Sequence, residues 1–163
     1  MSQIKEHCPV CGMDITDDEY LMHEYHGMYY HFCSEQCRDT FTARPTLYMK
    51  KTTGNIPVRL KKRKIQLESN INEDKVKALT DAINQLMGIR DIRIEGSTIY
   101  LTYDLVQVTL LQIEKIINEN GLSMDKGWLS RFKRNWVVNS EQNELDNLAL
   151  PLGPCCNRAP TKR

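Results

Sequence analysis

Two close cysteine pairs sit near the start of this 163-residue chain: Cys8 and Cys11 in Cys8-Pro9-Val10-Cys11-Gly12, and Cys33 and Cys37 in Cys33-Ser34-Glu35-Gln36-Cys37. Thiolates are strong ligands for zinc and softer ions, and four of them can close a tetrahedral site. In the first pair a backbone bend before Gly12 lets both sulfurs point at one ion. The i, i+4 spacing of the second places both sulfurs on one helical face. The expected occupant is one Zn(II) or Cu(I) ion per finger, since a thiolate set accepts both. A further thiol pair, Cys155-Cys156, lies near the other end. Adjacent thiols do not easily form a relaxed disulfide, but they can bind a soft ion, hand it to a partner or complete the first site. The plainer reading is two incidental thiols on a tail. Cys-x-x-Cys also suggests thiol redox chemistry, with His7 beside Cys8 as a group that could lower its pKa. The βαβ context of such enzymes is missing. No Ser/His/Asp arrangement, phosphate-cradling loop or paired-carboxylate site stands out, so the chain is not expected to be an enzyme.

Local elements must bring these thiols together. Two aromatic-rich runs, Glu19 to His26 and Met28 to Phe32, flank Gly27 and predict a β-hairpin that delivers the chain to Cys33. Ser34 is the expected N-cap of a helix running through Cys37 to Phe41. A turn pair meeting a helix pair is the plan of a small treble-clef-like metal finger. Fewer than fifty residues bury little apolar surface, so such a piece usually needs a staple, which an ion held by four thiolates supplies. Met13 and Met28 could add soft thioether ligands, although core packing is the expectation for both.

Residues 1–49 resemble the YHS and TRASH-like metal fingers. The resemblance is carried by Cys8-Pro9-Val10-Cys11-Gly12-Met13, by Tyr25-His26-Gly27-Met28-Tyr29-Tyr30-His31-Phe32-Cys33-Ser34-Glu35-Gln36-Cys37, by Phe41 and by Pro45-Thr46-Leu47-Tyr48. It implies heavy-metal sensing or trafficking, with a heavy-metal-transporting ATPase or another membrane metal transporter as partner. Many members lack the first cysteine; its presence here favours a complete four-sulfur site. His31 departs from the more usual aromatic residue two places before Cys33. It is an additional candidate ligand, set against the ordinary reading of an edge histidine.

Residues 50–63 read as a basic linker, ending in Arg59-Leu60-Lys61-Lys62-Arg63-Lys64, where five of six residues are cationic. Such a run invites a nucleic-acid hypothesis. A strand edge protected by lysine is the ordinary explanation, so nucleic acid is not an expected partner. From 64 to 125 the periodicities give β-α-β-β-α in order. A strand runs from Lys64, and a helix carries Val76, Leu79, Ile83 and Leu86, capped by Asn70 or Asn72. A hairpin turns at Glu95-Gly96-Ser97, and a second helix opens on Thr109 and Gln112 and ends at Gly121. With Leu122-Ser123-Met124 as closing strand, the order is that of a ferredoxin-like βαββα(β) sandwich. This stretch looks like a heavy-metal-associated domain in its element order, in Gly88 to Ile94 and in its helix end. That family carries Cys-x-x-Cys in the loop where this chain has Glu68-Ser69-Asn70-Ile71-Asn72. This module is therefore expected to be a scaffold, a docking surface or a homodimer interface, not a copper site. Residues 126–163 form an amphipathic helix and a mobile Cys-Cys tail. Trp128, Leu129, Phe132 and Trp136 share one side with cations between them. A basic aromatic helix suits a membrane surface, but packing on its own domain is the expectation.

The net charge is +1, which gives no global pull toward nucleic acid or lipid. No apolar run is long enough to span a bilayer, and the first residues lack a signal-peptide core, so the expected location is cytoplasmic. There, thiols are more often ligands than disulfides. The fold class expected is α+β: a metal finger, a ferredoxin-like module and a C-terminal helix. The expected function is soft-metal handling by sensing, chaperoning or delivery to a transporter. The alternative is a structural-zinc adaptor without metal transfer.

Overall fold

Aromatic alternation around His26-Gly27 closes the first hairpin. Strand β1 (Leu21–Tyr25) pairs antiparallel with β2 (Met28–Phe32), Leu21 opposite Phe32 and Tyr25 opposite Met28. Both turn residues take positive φ, +52° at His26 and +76° at Gly27, as a two-residue turn matched to strand twist requires. Helix α1 (Glu35–Ala43) starts at Ser34, whose hydroxyl accepts the Cys37 amide at 3.3 Å, and α2 (Pro45–Met49) follows. Phe41 is the hub of this unit, with the rings of Tyr30 and Phe32 at 4.8 and 5.1 Å and Tyr25 and Tyr48 just beyond. The computed structural model describes residues 7–15, 21–49 and 58–149. The Cys155-Cys156 tail and most of the linker lie outside them.

The second unit follows the expected order. Strand β3 (Leu60–Gln66), helix α3 (Glu73–Asn84), strands β4 (Ile89–Glu95) and β5 (Thr98–Asp104) and helix α4 (Leu110–Glu119) build an antiparallel sheet ordered β3-β5-β4. The predicted closing strand is reduced to one bridge, Met124 opposite Leu67. The core lies between sheet and helices, where Ile99, Leu101 and Tyr103 meet Leu79, Ile83, Ile113 and Ile117, all buried. Asn72 is the α3 cap, accepting the Lys75 amide at 3.2 Å, and the Thr109 amide donates to Gln112 at the start of α4. Among the described residues no helix is long and apolar enough to cross a membrane.

The basic run does not belong to a linker. Strand β3 takes in Leu60 to Arg63, and its alternation divides the cations between two faces. Lys61 stands opposite Tyr103 and Arg63 opposite Leu101, so both share the helix-side face. Helix α5 (Trp128–Ala149) covers them: Lys61 pairs with Glu144 at 2.5 Å and Arg63 with Glu141 at 3.2 Å. On the other face Lys64 and Arg93 lie 5.6 and 5.1 Å from the Tyr100 ring centre. Two of the run's five cations are thus neutralised within the fold, and the lysine-edge reading holds only for Lys62 and Lys64.

Phe132 and Trp136, the two residues of the aromatic stripe whose side chains are described, do not pack on the domain. Each is 68% exposed, while Glu141 and Leu145 are buried on the opposite side of the helix. The two cations on β3 require carboxylates above them, and meeting that need turns the aromatic side outward.

The finger rests on the second unit. Gln36 accepts the Met87 amide at 2.8 Å and donates to the carbonyls of Met87 and Gln107 at 2.9 and 3.2 Å. Thr40 accepts from Gln112, the Tyr48 hydroxyl donates to the Val106 carbonyl at 2.5 Å, and Arg44 pairs with Asp146 and Gln142 on α5.

Gly88 supports this junction from below. Its φ is +95°, and a Cβ there would lie 2.7 Å from the Gln107 Cβ and 3.1 Å from Val108. Gly88→Ala is expected to cost about 2–3 kcal/mol from left-handed strain and overpacking together. At roughly 2–4 °C per kcal/mol for a chain of this size, melting falls by about 5–10 °C. Gly96→Ala in the β4–β5 turn, where a Cβ would meet only Asn70 Oδ1 at an ordinary 3.4 Å, is the comparison; an equal loss there would assign the effect to φ alone.

Candidate metal centre

Three elements deliver the four thiols. From Cys8 to Gly12 the chain forms a tight knuckle: the Gly12 amide donates to the Cys8 carbonyl at 2.8 Å and the Cys8 amide to the Met13 carbonyl at 2.9 Å. Gly12 takes φ +78°, a left-handed position that lets the chain reverse, and a short bridge between His7 and Asp14 closes its base. The β1–β2 hairpin then brings Cys33 to the knuckle, and the first turn of α1 presents Cys37. Knuckle, hairpin and helix follow in treble-clef-like order.

The sulfurs meet. Cys11 Sγ lies 3.4 Å from Cys33 Sγ, Cys33 Sγ lies 3.8 Å from Cys37 Sγ, and all four lie within 4.8 Å of one another. None is in a disulfide. A tetrahedron of thiolates around zinc at about 2.3 Å has edges of about 3.8 Å, so a tetrathiolate ion fits with only small inward shifts. Cys8 and Cys37 are each 1% exposed, whereas Cys11 and Cys33 are half-buried. One side of the cluster is sealed by protein and the other faces solvent.

The thiols compete for protons. Hydrogen bonds from Cys11 and Cys37 hold the Cys8 thiol far below the ordinary range. A hydrogen bond from Cys37 favours the Cys11 thiolate, but its bond to Cys8 and its burial outweigh that and push it up to about 11. Cys37 is pushed up by its bonds to Cys11 and Cys8 and by burial. Four sulfurs this close cannot all ionise without a counter-charge, which a metal ion held by Cys8, Cys11, Cys33 and Cys37 would supply.

Other candidates fall away from this centre. His31 is on β2 opposite Met22, on the strand face away from buried Phe32, and is not in the four-sulfur group. Met13 and Met28 are 57% and 52% exposed, so the core-packing expectation fails for both. A hairpin this small has a single covered face, which Tyr30, Phe32 and Phe41 already fill. His7 pairs with Asp14 at 2.6 Å on the outside of the knuckle. Cys155 and Cys156 lie outside the described residues. Gln36 has no signal in the sequence beyond its place between two ligands. It nevertheless ties the ligand helix to the second unit through three hydrogen bonds.

Compared with curated proteins and with solved structures, the chain has no match. Residues 7–52 match the YHS domain family, and all four thiols, the hairpin and helices α1 and α2 fall inside the matched span.

Proposed function

We propose that this protein binds one soft metal ion, Cu(I) or a related ion, through Cys8, Cys11, Cys33 and Cys37, and passes it to a membrane transporter of the heavy-metal ATPase kind. The observation that carries this reading is the lopsided burial of four unbonded sulfurs lying within 4.8 Å of one another. Cys8 and Cys37 hold the ion from behind, while a partner's thiolate can approach past Cys11 and Cys33 and replace them one at a time. Soft thiolates suit such an ion. The YHS match points the same way. The ferredoxin-like module, with no thiol from Glu68 to Asn72, serves as body and docking surface, not as a second soft site. The chemistry is ligand exchange, with no bond made or broken in a substrate, and it suits a cytoplasm that keeps thiols reduced.

A second reading is favoured by the Gln36 contacts: a ligand helix locked onto its neighbour suits structural Zn(II) in an adaptor. Metal content after anaerobic purification, followed by competition with a chromogenic Cu(I) chelator, separates the two. One ion per chain and Cu(I) held against the chelator are expected for metal handling. One zinc that Cu(I) does not displace would leave the adaptor.

A further inference from the structure

The outward side of α5 is unexplained by the metal centre. Phe132 and Trp136 lie one turn apart on the side facing away from buried Glu141 and Leu145, and both rings are 68% exposed. From Lys126 to Ser140 the chain has no carboxylate. Two cations of this stretch have acidic partners, Lys126 with Glu68 at 3.3 Å and Arg134 with Glu114 at 3.6 Å. Arg131 and Lys133, on the two flanks of the aromatic ridge, have no acidic partner among the described residues. Arg59 faces Trp136 across a shallow cleft.

We propose that this face adsorbs to an anionic lipid bilayer, with Phe132 and Trp136 seated at the boundary between headgroups and acyl chains and Arg131 and Lys133 against lipid phosphates. The uncompensated positive charge around the rings complements an anionic surface, in a chain whose net charge is only +1. The shape also favours lipid. Asn139 and Asn143 continue the ridge and are exposed, so among the described side chains its apolar part toward the C-terminus ends at Trp136. A stable protein partner covers roughly 800 Å² per side. A bilayer needs only aromatic anchors and nearby cations for reversible adsorption. The inference is independent of whether the finger's ion is exchangeable.

The test is co-sedimentation of the full-length, metal-loaded protein with vesicles of phosphatidylcholine and phosphatidylglycerol at 70:30, against phosphatidylcholine alone. Binding to the anionic vesicles at low salt is expected, with release as salt rises. Phe132→Ser with Trp136→Ser is expected to abolish it. Arg131→Gln and Lys133→Gln are each expected to weaken it about fivefold, at roughly 1 kcal/mol per surface cation. All four residues are exposed, so helicity and metal content report that the variants fold as the parent does. No binding at low salt, or undiminished binding by the ring double variant or by both cation variants, would overturn the proposal. A lipid-free dimer that the ring substitutions dissolve would assign the face to a second copy instead.

Discussion

Serine in place of Cys37 will strip the ion from the finger and unfold it, while the ferredoxin-like unit stays folded. Cys37 is 1% exposed and within 4.8 Å of the other three sulfurs, so its replacement leaves three thiolates around a hydroxyl that binds a soft ion poorly. Affinity is expected to fall at least a hundredfold, more than disturbing an outer hydrogen bond of a ligand costs. The finger cannot absorb that loss. Its buried apolar side chains are Val10, Phe32, Phe41, Leu47 and Tyr48, each contributing roughly 1.5–3 kcal/mol. So small a core usually needs a staple, and a thiolate-bound ion contributes on the order of 10–16 kcal/mol in small zinc fingers. Metal per chain, far-UV circular dichroism and limited proteolysis check the result: cleavage within 7–49, with 60–149 resistant. Met87 and Gln107, which bond to Gln36, should gain faster hydrogen exchange nearby. A Cys37→Ser protein that keeps one ion at parental affinity would sink the four-sulfur assignment.

What the sequence reveals about this molecule is what neighbouring residues decide. Ser34 and Asn72 cap their helices because a side-chain oxygen three residues back from an amide finds it without outside help. The His26-Gly27 turn and the spacing of each cysteine pair are equally local. The orientation of α5 is not. It depends on Lys61 meeting Glu144 and Arg63 meeting Glu141, contacts that span 83 and 78 residues. Periodicity marks the aromatic side as the one to bury, because apolar side chains usually win that competition. Here the cost of leaving two strand cations uncovered decides instead. Met28 fails as core for a related reason: whether a hairpin face is covered depends on what lies across it. The docking of the finger through Gln36 is likewise invisible, since any polar residue between two ligands reads as solvent-facing.

The buried carboxylate at Glu141 holds the second large effect. It is 2% exposed, and it accepts from the Tyr103 hydroxyl, from Arg63 at 3.2 Å and from the Leu110 amide at 3.0 Å. One side chain thus ties β3, β5, the start of α4 and α5 together. Glu141→Ala leaves the Arg63 guanidinium without its counter-charge, and Arg63 Nε is already buried with no partner among the described residues. Removing one member of a buried pair costs about 3–5 kcal/mol, so melting should fall by roughly 10 °C or more. Part of the effect belongs to the stranded charge and part to the Tyr103 hydroxyl and Leu110 amide, which lose their acceptor. Arg63→Leu combined with Glu141→Leu should therefore recover only the first part, since both charges leave together. Glu144→Ala breaks the neighbouring Lys61 pair, whose side chains are 23% and 31% exposed, and should cost no more than about 1 kcal/mol. Thermal melts of the three variants decide the matter. Equal losses in Glu141→Ala and Glu144→Ala would mean that the Glu141 cluster is solvated, and the outward turn of α5 would then need a cause other than covering Lys61 and Arg63.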